Sequence, residues 1–292
     1  MIEELILQKR KLINRYLETL LMPVHKEHQI LFDAMNYSLL SGGKRIRAFL
    51  FLFILDVLGN ESNKYLDVAA AIECIHTYSL IHDDLPAMDN DDYRRGTLTN
   101  HKKFGSGIAT MAGDGLLTAA FTLISENKVL SASKKVELIR LLSIAAGPFG
   151  MVAGQAHDKS AEGRKIDLKE LQLLDSYKTG CLLCAPIDMA TAISSNISIE
   201  EKDALHQFGR HLGMLFQITD DLLDVTGDLS VMGKNPGQDI MDKKSTYVTM
   251  LGIEQTKYLA EKEIKDAKKV IENINYNRIL GELLDFIYVR TK

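Results

Sequence analysis

"SIEEKDALHQFGRHLGMLFQITDDLLD", residues 198–224, is the stretch whose reading decides the fold. Leu205, Phe208, Leu212, Leu215 and Leu222 recur at steps of three, four and seven residues, so they line one face of a helix. Ser198 and Glu201 stand at capping-box spacing just ahead of that face, where each can satisfy an N–H left open at the helix start. Asp167 and Glu170 repeat the signal before Leu171 and Leu174. Gly59, Gly105, Gly147 (followed by Pro148) and Gly227 punctuate the rest of the chain, which carries only five prolines. Strand-like alternation is limited to "NISIE" (196–200), which reads better as a helix entry. The expectation is an all-α protein, one domain over residues 1–292, built as a bundle of about ten or more helices around a central cavity.

The composition is that of an ordinary globular chain: 292 residues, 46% apolar, 25% charged, net charge −4. That charge argues against a nucleic-acid partner, which would call for a basic face. Cys74, Cys181 and Cys184 form no disulfide framework, and the apolar setting of "CLLCAPIDMA" marks Cys181 and Cys184 as two small core residues of a helix. The N-terminus "MIEELILQKRKLINRY" mixes acids with bases and is no signal peptide. "AFLFLFIL" (48–55) is far too short to span a bilayer. These features predict a cytoplasmic protein with no integral membrane segment.

The same helix that sets the fold carries Asp220 and Asp224, one turn apart on one face, with Asp221 between them. Like charges at that spacing destabilise a helix by a few tenths of a kcal/mol unless a cation lies between them. A second acidic run, "IHDDLPAMDNDDYRRG" (81–96), holds Asp83, Asp84, Asp89, Asp91 and Asp92. On an unbroken helix Asp83 and Asp89, six positions apart, would point about 240° apart. Pro86 removes a backbone donor between them and lets Asp89 turn back toward Asp83. Oxygen-only ligands suit magnesium better than zinc. Asp83, Asp84, Asp89, Asp220 and Asp224 are therefore the candidate metal ligands, with Asp91 and Asp92 left as surface charges. Each cluster taken alone is equally compatible with a solvated acidic loop. An EF-hand fails because Tyr93 and Arg94 fall where a ligand and a glycine are needed. A di-iron site fails because Glu73–His76 is a solitary E-x-x-H.

Cations accompany the acids. "SGGKRIRAF" (41–49) places paired glycines before a helix, with Lys44 and Arg47 expected to share its face. Arg94 and Arg95 follow the first acidic run, Lys178 and Thr179 lie in "YKTG", and Lys234 and Lys244 follow the second cluster. Metals held by acids, with bases around them, point to polyphosphate chemistry.

Taken in order, "GGKRIR", "ECIHTYSLIHDDLPAMDNDDYRRG", "GDGLL", "GMVAGQ", "KTG", "FQITDDLLD" and "GKNPGQD" with "KST" resemble the trans-isoprenyl diphosphate synthases over nearly the full length, most closely the bacterial farnesyl type. The resemblance implies an all-helical fold with two aspartate-rich motifs facing each other at a cavity mouth, and about three magnesium ions bridging them to an allylic diphosphate. It implies that Asp83 and Asp89 hold two ions and Asp220 the third. Arg94, Lys178, Thr179, Gln217, Lys234 and Lys244 then match positions that bind the allylic diphosphate. Lys44, Arg47, His76 and Arg95 match those that bind isopentenyl diphosphate. Asp83, Asp84, Asp89, Asp220, Lys178 and Lys234 are the expected catalytic set, stabilising the leaving diphosphate as its charge develops. Dimethylallyl or geranyl diphosphate would be condensed head-to-tail with isopentenyl diphosphate to (2E,6E)-farnesyl diphosphate, in a homodimer.

Tyr78, five residues before Asp83 and so about 7.5 Å along the helix axis, matches the aromatic position that limits product length. A twenty-carbon product is the alternative reading. A terpene cyclase would need only one diphosphate site, and a non-catalytic subunit of a heteromeric synthase would usually lack one of the two motifs. Three positions depart from the family pattern. Ala48 replaces a usual proline, Gly115 a usual alanine, and Asp175 a common histidine.

Overall fold

The computed structural model describes residues 2–226 and 245–289, and Gly227, Lys234 and Lys244 lie outside them. Fourteen α-helices, two short 3-10 helices, one π-helical turn and one two-stranded hairpin make up the regular structure among the described residues, in agreement with the all-α reading. The chain forms two compact units, one of residues 4–140 with 192–194, the other of 1–3, 141–191 and 195–292.

The first unit contains α1 (Ile2–Glu18) from residue 4 onward, α2 (Gln29–Leu39), α3 (Ile46–Val57) and α4 (Leu66–Asp83). The hairpin β1 (Tyr93–Arg94) and β2 (Thr97–Leu98) follows, then α5 (Asn100–Phe104) and α6 (Ser106–Glu126). Residues 48–55 of α3 and 68–75 of α4 are buried without interruption. A helix apolar on every side has neighbours on every side, and α4 packs against α3 and α6. This burial fixes α4 as an internal rod and leaves its C-terminal residue, Asp83, at the start of the acidic run.

The start of α3 departs from the sequence reading. The helix begins at Ile46, with Arg45 ahead of it in the left-handed region (φ 53°). Lys44 consequently lies in the loop and does not share a helix face with Arg47. Arg45 is drawn inward instead. Its Nε donates to Asn14 Oδ1 at 3.0 Å, Nη1 to Glu73 Oε2 at 3.2 Å and Nη2 to the Leu39 carbonyl at 2.6 Å. Glu73 Oε1 in turn accepts the Ala48 N–H at 3.3 Å, a donor that proline at 48 could not supply. The E-x-x-H glutamate is thus a structural counterion and a cap for α3. Gly115, mid-way along α6, faces Met35 of α2: a Cβ there would meet its sulfur at 3.0 Å.

The hairpin was not expected. Arg95 (φ 53°) and Gly96 (φ 78°) form its two-residue loop, and positive φ at both positions is the type I′ pattern that matches strand twist. A second departure concerns apolar length. Residues 106–126 and 132–161 are long and apolar enough by composition to cross a membrane, although the sequence reading singled out only 48–55. Small residues (Ala, Gly, Thr) dilute the first stretch and conceal it by eye. It forms α6, packed against α2, α4 and α5. The second is broken at Gly147–Gly150 into α7 (Ala132–Ala146) and α8 (Met151–Ala161).

In the second unit, α9 (Leu168–Asp175), a π-helical turn (Ser176–Gly180) and α10 (Cys181–Ile193) run end to end. They are followed by α11 (Ile199–Thr226), α12 (Tyr247–Leu251), α13 (Ile253–Val270) and α14 (Asn277–Val289). The capping box at the head of α11 forms as expected, with Ser198 N donating to Glu201 Oε2 (3.0 Å) and Glu201 N to Ser198 Oγ (3.1 Å). Leu205, Phe208, Leu212, Leu215 and Leu222 are all buried. Each such side chain contributes roughly 1.5–3 kcal/mol on burial, and the face they form anchors α11 within the unit, where it packs against α13 and the π turn. At α9, Asp167 Oδ1 accepts the Glu170 N–H at 2.8 Å, but the Glu170 carboxylate turns outward to His157 and Arg164.

Candidate functional site

Within the first unit, the helix end at Asp83 is where the acidic run becomes a site. α4 stops there, and the chain folds back through Pro86 until the Asp89 N–H donates to the Asp83 carbonyl at 2.9 Å. The return expected from Pro86 is therefore present in the backbone, and the carboxylates of Asp83 and Asp89 spring from adjacent points. Asp84 has a different position. It is 3% exposed, and Arg94 Nε donates to both its oxygens, at 2.7 and 2.8 Å. Burial lifts the Asp84 carboxyl above its ordinary value, and Arg94 pulls against that shift. Arg94 also lies 3.6 Å from Asp91, and Lys102 pairs with Asp92 at 2.6 Å, so the outer acids sit in surface ion pairs.

The hairpin aims the next arginine. Because the turn at Arg95–Gly96 reverses the chain, Arg95 reaches the glycine loop, where Nη1 donates to the Gly42 carbonyl at 2.6 Å and to Ser41 Oγ at 3.3 Å. The guanidinium lies over Gly43, where a Cβ would come within 2.8 Å of it, and the left-handed backbone there (φ 105°) favours glycine. Arg47 Nη1 approaches His76 Nε2 at 3.5 Å. Burial first, and then the charges of Arg47, Arg95, Arg94 and Arg45, hold the His76 imidazole well below its ordinary value. Neutral at pH 7, it adds no charge of its own to an already cationic group. Three sequence-derived candidates, Arg47, His76 and Arg95, thus belong to one neighbourhood of α3, α4 and the hairpin, and Lys44 lies in the loop that Arg95 touches. Concentrated positive charge beside loop N–H groups is suited to a polyanion.

Tyr78 lies on α4, 5% exposed, with its ring edge-on to His82 at 5.7 Å between centroids. Burial, and next the Asp83 charge, push its phenol up to about 12, so it is a neutral wall of aromatic carbon.

Lys178 and Thr179 occupy the π turn of the second unit. A π turn inserts a residue into helical winding and is frequent where function requires a displaced side chain. Its backbone is approached closely from two sides. A Cβ on Gly154 of α8 would come 2.2 Å from Lys178 N, and one on Gly213 of α11 would come 2.9 Å from the Gly180 Cα. Lys178 forms an ion pair with Asp158. Thr179 Oγ1 donates to Gln217 Oε1 at 3.2 Å, and Gln217 Nε2 donates to Asp221 Oδ1 at 2.9 Å. The other Asp221 oxygen accepts the Tyr247 N–H at 2.9 Å, tying α11 to the start of α12. Asp220 and Asp224 lie on α11 one turn apart as expected, Asp220 partly exposed and Asp224 buried. Each pair, Asp220 with Asp224 here and Asp83 with Asp89 within the first unit, offers oxygen donors alone, the kind that fits a hard divalent cation. Lys234 and Lys244 fall outside the described residues.

Two further groups went unassigned in the sequence. Asp221 was read as a member of the acidic triplet but given no task, although it is the residue that orients Gln217. Asp175, the departure from the family's histidine, is 7% exposed, and its Oδ2 has no hydrogen-bond partner. Burial first, then the Asp221 charge, lift it from 3.8 to about 8, with Tyr247 and Lys178 acting in the opposite direction. No local sequence signal marks it, because its burial depends on α11 and α12.

Residues 28–278 match the family described as polyprenyl synthetase. The farnesyl diphosphate synthase of Micrococcus luteus is 45% identical over 295 residues, covering 100% of both chains. That of Bacillus subtilis is 43% identical, over 94% of this chain and 92% of its own. The crystal structure of a geranyltransferase from Helicobacter pylori, complexed with magnesium and isoprenyl diphosphate, superposes with a TM-score of 0.84 at 34% identity, covering 97% of this chain and 94% of that one.

Proposed function

The chain belongs to the polyprenyl synthetase family and is a prenyltransferase, and from that premise we propose that it makes (2E,6E)-farnesyl diphosphate by adding isopentenyl diphosphate to dimethylallyl and then geranyl diphosphate. The observation that carries this reading is that each unit holds its own group: Arg95 on the glycine loop with Arg47 beside neutral His76 in the first, and Thr179 bonded to Gln217 next to Lys178 in the second. Two polyanion-binding groups are what a condensation of two diphosphates requires. The whole chain acts as one polyprenyl synthase domain, a reading supported by a family match that runs through both compact units.

In this reading Lys44, Arg47, His76 and Arg95 hold isopentenyl diphosphate. Lys178, Thr179 and Gln217, with Lys234 and Lys244, hold the allylic diphosphate. Asp83 and Asp89 bind magnesium, as do Asp220 and Asp224, about three ions in all. The bound magnesium supplies charge neutralisation for the departing diphosphate. Asp84 serves indirectly by fixing Arg94, whose cation lies beside the acidic run. Lys178 stabilises charge that develops on the leaving oxygen, with Asp158 orienting its ammonium group. Gln217, held at both ends by Thr179 and Asp221, presents a fixed amide dipole toward the allylic end. Tyr78 closes the space beneath Asp83 and limits growth near fifteen carbons. A homodimer is supported by the exposed apolar side chains of Ile144, Phe149 and Val152, of which Phe149 is 75% exposed.

The test is incubation with dimethylallyl diphosphate, radiolabelled isopentenyl diphosphate and magnesium, followed by chromatography of the products. A fifteen-carbon labelled product, absent with EDTA, is expected. Failure to incorporate label would remove the synthase assignment, and a twenty-carbon product would remove the farnesyl assignment alone.

A further inference from the structure

The second unit carries a cluster that the prenyl-transfer site does not use. Cys184 and Asp188 stand one turn apart on α10, and His206 faces them from α11. The Cys184 sulfur, an Asp188 carboxylate oxygen and a ring nitrogen of His206 all lie within 4.8 Å of one another. The helices can approach this closely because residue 209 is glycine: a Cβ there would meet the Cys184 sulfur at 2.8 Å. Gly209 is one turn beyond His206, so the contact that seats the thiol against α11 also brings the imidazole beside it. His206 Nδ1 is within hydrogen-bond distance of both Asp188 oxygens (3.0 and 3.1 Å), and the Cys184 thiol points to the His206 carbonyl at 3.6 Å. Cys181, the other half of the C-x-x-C, is partly exposed and is not a member of this three-residue group. The two cysteines therefore do not act as a pair.

We propose that Cys184, Asp188 and His206 form a binding site for a borderline divalent transition metal of the zinc type, distinct from the aspartate-rich magnesium motifs. A thiolate, an imidazole and a carboxylate are the donor types that select such an ion over magnesium. Three protein ligands leave a fourth tetrahedral position for water, and the exposed edge at His206 gives the ion a way in. Binding replaces the Asp188–His206 hydrogen bond by two metal bonds. It also releases the thiol proton, and any proton on the imidazole, to solvent. Burial pushes the Cys184 thiol well up, with the charges of Asp188 and Cys181 adding to this and Arg210 drawing it down. An ion held there joins the first half of α10, just beyond the π turn, to α11, and because none of its three ligands belongs to the diphosphate-binding set its role is structural or regulatory.

The probe is cobalt(II) added to the metal-free full chain, because a thiolate–cobalt bond gives a charge-transfer band that oxygen ligands cannot. One equivalent should produce the band, and one equivalent of zinc should abolish it. The band should disappear in Cys184→Ser and in His206→Ala, and persist in Cys181→Ser. His206→Ala, an exposed change outside the prenyl-transfer machinery, should retain its magnesium-dependent activity and serve as the folded control. No sulfur–cobalt band in the unmodified chain, or a band unchanged in His206→Ala, would overturn the proposal.

Discussion

Replacing Asp175 by asparagine tests whether a buried acid at the allylic end of the site is carried in neutral form. In the unfolded chain this carboxyl titrates at its ordinary 3.8, whereas in the folded unit burial and the neighbouring Asp221 raise it to about 8. Between those values folding requires the uptake of one proton, so stability is complete below pH 3.8 and is lost progressively up to about pH 8. The loss runs at about 1.4 kcal/mol per pH unit. From pH 5.5 to the end of the slope near 8 it sums to about 3 kcal/mol, and above 8 it stops, because the folded group ionises as well. With the side chain 7% exposed, solvent screening removes little of this. Asparagine keeps the shape and cannot ionise. Urea unfolding of both proteins at pH 5.5 and 8.5 should show the wild type losing about 3 kcal/mol more than Asp175→Asn, since all other titrating groups cancel in the difference. Parallel losses in the two proteins would show that Asp175 is ionised throughout, and the neutral-acid reasoning would be wrong.

Tyr78→Ala should shift the product distribution toward twenty carbons, read by chromatography of the dephosphorylated alcohols; an unchanged fifteen-carbon product would assign the ring to packing alone. Glu73→Ala should lower stability by about 3–5 kcal/mol, because the buried Arg45 charge loses its counterion. A denaturation midpoint displaced by less than 1 kcal/mol equivalent (roughly a quarter of the expectation) would mean that Asn14 and the Leu39 carbonyl suffice for Arg45.

What could be read in advance was what local chemistry decides. The Ser198–Glu201 box and the Leu205-to-Leu222 face involve residues a few turns apart, and both formed as expected. The return of Asp89 to Asp83 was legible for the same reason, since Pro86 forbids a continuous helix. The hairpin at Tyr93–Leu98 escaped because two-residue strands are too short to show alternation. Its one cue was the Arg–Gly turn between an aromatic and a β-branched residue. Lys44 was assigned to a helix that begins two residues later, because the left-handed Arg45 is held by Asn14, Glu73 and Leu39, partners on other elements. The binding candidates were legible only as types and order. Asp84's commitment to Arg94, Asp221's grip on Gln217 and the burial of Asp175 all depend on neighbours that no local pattern names.

The π turn at Ser176–Gly180 bears on how this chain can vary. A π turn differs from the α-helix around it by one residue of winding, so a single-residue deletion there would give α9 and α10 an unbroken hydrogen-bond ladder. It would also rotate everything on one side by about 100° relative to the other. Lys178 and Thr179 would leave Asp158 and Gln217, and Gly180 would no longer meet Gly213. Loops elsewhere can gain or lose residues at little cost. At residues 176–180 the length of the chain, as much as its composition, is under constraint, and insertions or deletions should be the rarest kind of change that a working descendant of this sequence could carry.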